Sequence, residues 1–191
     1  MASNISSWKK SLPMWLTWSR IALCVPIVAV IMFVERPLAG FIAAALFIVA
    51  SITDWGDGYY ARLYDAQSTM GKFMDPIADK ILVSTILILM IPLGTLGHYG
   101  PLLVILLLSR DILIGGIRSI AAADRLIIDA KATGKWKTAV QMAAIPCVLI
   151  GPIGPVPLAD IGRIALWVST ILSLVSGYQY IAMYRDSRKG A

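Results

Sequence analysis

Six apolar segments, each near the length that a bilayer's hydrocarbon core demands, follow one another along this chain with little sequence between them. A helix needs about 20 mostly apolar residues to cross about 30 Å of hydrocarbon, and only a structure that pairs its own backbone groups is stable there. The segments cover residues 13–34, 38–62, 71–93, 101–122, 135–150 and 158–184. Glu35-Arg36-Pro37 forms a tight first connection, and residues 94–100 and 151–157 are rich in the helix breakers Gly and Pro. The expected fold is therefore an all-α integral membrane protein with six transmembrane helices, one domain over 1–191 with its bundle at 13–184. A hydrophobic fraction of 58% and a mean hydropathy of +0.77 are too apolar for a soluble domain. The formal net charge of +6 would suit nucleic acid only if it were gathered on one soluble face. Here the basic residues are scattered at helix ends, so anionic lipid and phosphate are the expected partners and nucleic acid is not. Cys24 and Cys147, far apart in apolar runs, read as buried free thiols.

Residues 1–12 read as a retained interfacial segment. Lys9 and Lys10 precede an apolar run that Arg20 interrupts, without the small-residue cleavage site of a signal peptide. Trp8, Leu12, Trp15 and Leu16 could form one apolar face, so a short N-terminal helix lying at headgroup depth is expected. Charge sets the orientation. With the N-terminus cytoplasmic, the inner ends collect Lys9, Lys10, Arg62, Lys135, Arg185 and Lys189 among others, whereas the outer side has Arg36 and Arg163. Both termini are then cytoplasmic, and the polar residues within the spans fall in the inner half. Arg20 opens the first span, Arg110, Asp111 and Arg118 occupy the inner half of the fourth, and Lys135, Lys137, Thr138 and Gln141 open the fifth. A single polar cavity open to the cytoplasm is the expected result.

Four acids are the costliest members of this set. Asp54 and Asp57 are spaced i, i+3 at the end of the second span, and Asp75 and Asp79 are spaced i, i+4 at the start of the third, so each pair shares a helix face. At roughly 3 kcal/mol each near a bilayer centre, four Asp cost about 12 kcal/mol, which a dozen apolar neighbours at about −0.5 kcal/mol each do not offset. A compensating charge is required. Hard oxygen donors suit Mg²⁺ or Mn²⁺ rather than Zn²⁺, and four carboxylates exceed what one divalent ion needs, so two metals are expected. Gly58, Ala61 and Gly71 leave the backbone open beside these acids, where a ligand could approach. Arg110 and Arg118, eight apart and so about 80° around a helix, can look into one pocket. With Lys135 and Lys137 they form a candidate anion site separate from the acids, suited to a phosphate.

The pattern D-x2-D-G-x2-A-R-x8-G-x3-D-x3-D, filled at every fixed position from Asp54 to Asp79, resembles the signature of the CDP-alcohol phosphatidyltransferases. The resemblance implies an enzyme of the bacterial cytoplasmic membrane, a homodimer, in which Asp54, Asp57, Asp75 and Asp79 hold the metals and Asp79 also acts as base. It further implies that Thr17, Gly58, Ala61, Arg62, Thr69 and Gly71 shape the CDP pocket. Two more stretches are similar to one subgroup: Leu12-Pro13-x-x-Leu16-Thr17-x-x-Arg20, and the block from Arg110 through Arg118 to Gly134-Lys135-Trp136-Lys137-Thr138-x-x-Gln141. That subgroup transfers the phosphatidyl group from CDP-diacylglycerol to the 1-hydroxyl of glycerol 3-phosphate, whose phosphate Arg110, Arg118, Lys135 and Lys137 would bind. Met14 stands where the family commonly has Asn or another polar residue, and Asp111 where it commonly has Glu. Within the family, an inositol phosphate acceptor would want the same phosphate site. From another class, a divalent-cation or proton-coupled transporter would also use intramembrane Asp, yet the outer half lacks a polar route and no repeat is visible.

Overall fold

The computed structural model describes residues 7–63, 69–124, 132–153 and 155–189; the side chains of residues 7–17, 54–63, 69–76, 79, 122, 123, 132, 133 and 189 lie outside that description. Six helices follow in order: α1 (Ser7–Phe33), α2 (Leu38–Leu63), α3 (Thr69–Met90), α4 (Gly100–Ala123), α5 (Ala132–Ile150) and α6 (Leu158–Lys189). Among the described residues no β-strand forms, and Ile153 and Val156 make an isolated bridge. The stretches Gly100–Ala121 and Leu158–Arg188 are long and apolar enough to cross a membrane, and Trp18–Phe33, Leu38–Thr53 and Lys80–Met90 are shorter apolar helices.

Helices α2 to α5 begin and end within three residues of the expected positions because the breakers act where the sequence puts them. After α3, Gly94 and Gly97 take φ of 65° and 73°, a region costly for any residue with a Cβ. Successive bonds from Gly94 N to Ile91 O, Gly97 N to Gly94 O and Gly100 N to Gly97 O then carry the chain into α4. Helix α5 stops at Gly151, whose φ of 81° and N–H bond to Cys147 O form a left-handed C-terminal cap. Two boundaries differ from expectation. Among the described residues the backbone is helical without interruption from Ser7, so α1 begins six residues before the expected start at residue 13. Pro13 falls in its second turn, where the missing N–H costs one bond near an end. Helix α6 continues past Tyr184 to Lys189, because nothing in Arg185-Asp186-Ser187-Arg188 breaks a helix.

The chain divides into two compact units, residues 1–89 and 90–191. In the first, α1 lies against α2. Among the described residues, Arg20, Cys24 and Ile27, spaced one turn apart, are the buried positions of α1, and Ala39, Gly40, Ala43, Ala44, Phe47 and Ala50 are those of α2. This alanine row lets the two backbones approach closely.

In the second unit α6 is the shared element, in contact with both α5 and α4. Its inward face is small and polar: Gly162, Ser169, Thr170, Ser173, Ser176 and Gly177 are all buried. Three of these four hydroxyls have partners, and Ser173 Oγ has none among the described residues. Thr170 Oγ1 donates to Leu166 O at 2.8 Å, and Ser169 Oγ donates across to Lys137 O of α5 at 3.0 Å. The outward faces are apolar instead, with Ile105, Ile112 and Ile120 of α4 and Ile164, Ile171 and Val175 of α6 exposed. Apolar outward faces with small and polar residues at the helix seam are the arrangement of helices solvated by lipid, where close fit and hydrogen bonds hold the helices together.

Gly162 sets the α5–α6 spacing. A Cβ there would meet Val148 Cγ2 at 2.6 Å and two backbone atoms, Ala144 O and Val148 N, at 2.9 Å. Backbone does not yield as a side-chain tip does, so any larger residue pries the pair apart. Gly162→Val is expected to destabilise the protein by about 1–3 kcal/mol. A thermal midpoint in detergent equal to that of the parent would disprove this account of the seam.

Candidate functional site

The buried positions of α4 are Leu103, Val104, Leu107, Ile114 and Ala121, a helical row whose gaps are filled by the half-buried Arg110 and Asp111. An apolar row fixes that face toward α6, and the fixed face carries Arg110 inward with it. The Arg110 guanidinium is held on three sides. Its Nε–H donates to Ser173 O at 2.8 Å, Nη2 donates to Ser176 Oγ, and Nη1 donates to Asp111 Oδ1 at 3.0 Å. Asp111 is shared: Lys137 Nζ of α5 donates to both carboxylate oxygens, at 2.7 and 2.8 Å. Only 7% of the Lys137 side chain and 18% of the Asp111 side chain are exposed, so water screens this pair weakly. Among the described residues the cluster joins two cations and one carboxylate.

Arg110 also lines a cleft, together with Ile114, Arg118, Gly134, Ser176, Tyr180 and Met183. Arg118, two turns further along α4, lies with its guanidinium carbon 5.4 Å from the centre of the Tyr180 ring, a cation–π contact that orients it without neutralising it. The cleft thus combines two arginines with a serine hydroxyl and an aromatic wall. Two guanidinium groups in a partly apolar recess can bind a phosphate or carboxylate through charge-assisted hydrogen bonds.

Of the four cations expected at an anion site, the structure brings Arg110 and Arg118 to the cleft. Lys135 is exposed and outside its lining, and Lys137 is buried behind Arg110 on the far side of Asp111. Sequence reasoning placed no functional residue on α6, although Ser176, Tyr180 and Met183 build one wall of the cleft. Their three- and four-residue spacing within an apolar span was the available signal. The acids stand on helical backbone as the spacing required, Asp54 and Asp57 in α2 and Asp75 and Asp79 in α3. Their side chains, and those of Thr17, Ala61, Arg62 and Thr69, lie outside the described residues, as does what surrounds Gly58 and Gly71. The turn expected between α2 and α3, residues 64–68, lies outside them as well.

Residues 10–175 match the family CDP-alcohol phosphatidyltransferase, and the chain belongs to that family. Its apolar helices and this membership mark a membrane protein. Among curated relatives, the chain is 36% identical to the CDP-diacylglycerol--glycerol-3-phosphate 3-phosphatidyltransferase of Bacillus subtilis, covering 94% of this chain and 97% of the relative. Proteins of the same name from Rickettsia bellii and Haemophilus influenzae are 35% and 32% identical, covering 90% and 94% of this chain and 93% and 96% of theirs.

Proposed function

We propose that this protein transfers the phosphatidyl group of CDP-diacylglycerol to the 1-hydroxyl of glycerol 3-phosphate, giving phosphatidylglycerophosphate and CMP. The observation that carries the reading beyond family membership is the two-arginine cleft, which supplies what a phosphate-bearing acceptor needs and an uncharged alcohol does not. The names of the relatives support the same acceptor.

In this reading Arg110 and Arg118 take the acceptor's phosphate, Lys137 holds the cluster behind them, and Lys135 adds positive charge on α5. Asp79 accepts the proton of the 1-hydroxyl as its oxygen forms a bond to the lipid-bearing phosphorus. The bond from that phosphorus to the CMP oxygen breaks, and CMP leaves with the electron pair. Thr17, Gly58, Ala61, Arg62, Thr69 and Gly71 shape the place of the CDP group. Asp54, Asp57, Asp75 and Asp79 are an all-carboxylate donor set on regular helix, which fits hard divalent ions, the kind the family uses. Two Mg²⁺ ions, or Mn²⁺, bound there would neutralise charge on the pyrophosphate and make its phosphorus more electrophilic. Six spans in a bacterial cytoplasmic membrane, with both termini and the reaction on the cytoplasmic side, and a homodimer among lipids complete the proposal.

The purified protein, given Mg²⁺, CDP-diacylglycerol and glycerol 3-phosphate, is expected to release CMP and form phosphatidylglycerophosphate. Inositol 1-phosphate, inositol and serine should be run beside it. Turnover with inositol 1-phosphate alone would transfer the assignment to that acceptor.

A further inference from the structure

We infer that Ser176 and Gly177 of α6 are positioning residues for Arg110, and that through it they set how tightly the acceptor's phosphate is held. The inference rests on the reading of Arg110 as a phosphate ligand. A free arginine side chain samples many rotamers, and fixing one in the presence of a ligand weakens binding by the entropy lost. Here the guanidinium is fixed beforehand. Nε–H and Nη2 form one edge of the fork, and both bonds on that edge go to one turn of α6, to Ser173 O and Ser176 Oγ. Asp111 takes a third N–H through Nη1. Of five N–H donors, three are committed, and two remain for a ligand.

Close approach of the fork to α6 is possible only because residue 177 has no side chain. A Cβ at Gly177 would stand 3.2 Å from Arg110 Nε and 3.4 Å from its Cγ, tighter than ordinary contact. Nε would have to give by a few tenths of an ångström, and it is the atom that meets the Ser173 carbonyl at 2.8 Å. Ser176 has the complementary role. Its hydroxyl accepts from Nη2 at the cleft wall, and removing it frees that end of the fork to turn.

The test uses the full-length protein in mixed micelles, with CMP release as the readout and inorganic phosphate as a competitor of glycerol 3-phosphate. Ser176→Ala and Gly177→Ala are each expected to raise the KM for glycerol 3-phosphate about three- to tenfold, the scale of one hydrogen bond to a charged group. The inhibition constant of inorganic phosphate should rise by the same factor, while kcat and the KM for CDP-diacylglycerol stay within twofold. Arg110→Gln is the control. If it leaves the KM for glycerol 3-phosphate unchanged, Arg110 is not a phosphate ligand and the inference falls with that reading. If Arg110→Gln raises this KM while Ser176→Ala and Gly177→Ala leave it and the phosphate inhibition constant within twofold, the positioning role alone is overturned. A fall in kcat with both KM values unmoved would show a structural role instead and overturn it too. Should Gly177→Ala not fold, Ser176→Ala decides.

Discussion

Substituting Asn for Asp79 is expected to lower turnover by roughly 10²- to 10⁴-fold while the protein stays folded. Asn matches Asp in size and keeps one carbonyl oxygen, so packing is preserved, but it takes no proton from a hydroxyl near neutral pH. Its charge is also lost to any metal, which adds to the effect. The measurement is CMP release at saturating CDP-diacylglycerol and glycerol 3-phosphate, with the thermal midpoint of each variant recorded in the same detergent. Activity within tenfold of the parent would remove Asp79 as the base. An unfolded variant would instead assign it a structural part.

The second large effect is on stability and concerns Asp111. This carboxylate answers two cations from two helices, Arg110 of α4 and Lys137 of α5. Asp111→Ala would remove the carboxylate that two cations share in a place with little water. Removing one partner from a buried ion pair costs about 3–5 kcal/mol, and the lower end applies because the Asp111 side chain is 18% exposed. For a chain of this size about 3 kcal/mol corresponds to a midpoint lower by roughly 6–12 °C. Asp111→Glu keeps the charge and should restore most of that. The double variant Asp111→Leu with Lys137→Leu should lose less than the single losses added together, since the cost is an unanswered charge and not a missing contact. Equal midpoints for the parent and Asp111→Ala would show that the cluster adds nothing to stability.

How legible the molecule was from its sequence depended on the range of the interaction that decides each feature. Helices α2 to α5 were legible to within three residues, and the glycines at positive φ, Gly94, Gly97 and Gly151, lie in the connections after α3 and α5 where breakers were expected. The start of α1 was not, because Pro13 reads as the start of the helix whereas it falls in the second turn of a helix that begins at Ser7. Arg110 and Arg118 were identified together because an eight-residue spacing is a local fact of one helix. Lys137 was grouped with them by charge alone. Its bond to Asp111 spans 26 positions and depends on how α5 lies against α4, which no spacing states. The α6 wall was missed for the opposite reason: serine and threonine in an apolar helix commonly satisfy themselves on a carbonyl one turn back, as Thr170 does on Leu166. Ser176 could not be told from such residues without Arg110 beside it.

The lining of the cleft also orders events in time. Along α6 it runs from Met183 through Tyr180 to Ser176, and along the opposing α4 from Arg118 to Arg110, so its two guanidinium groups are staggered by eight residues, about 12 Å of helix. Arg118, exposed and resting on Tyr180, is level with the end of α6 that continues into the charged run Arg185–Lys189; Arg110 lies at the inner terminus. An anion entering from that end would meet the exposed Arg118 before the half-buried Arg110.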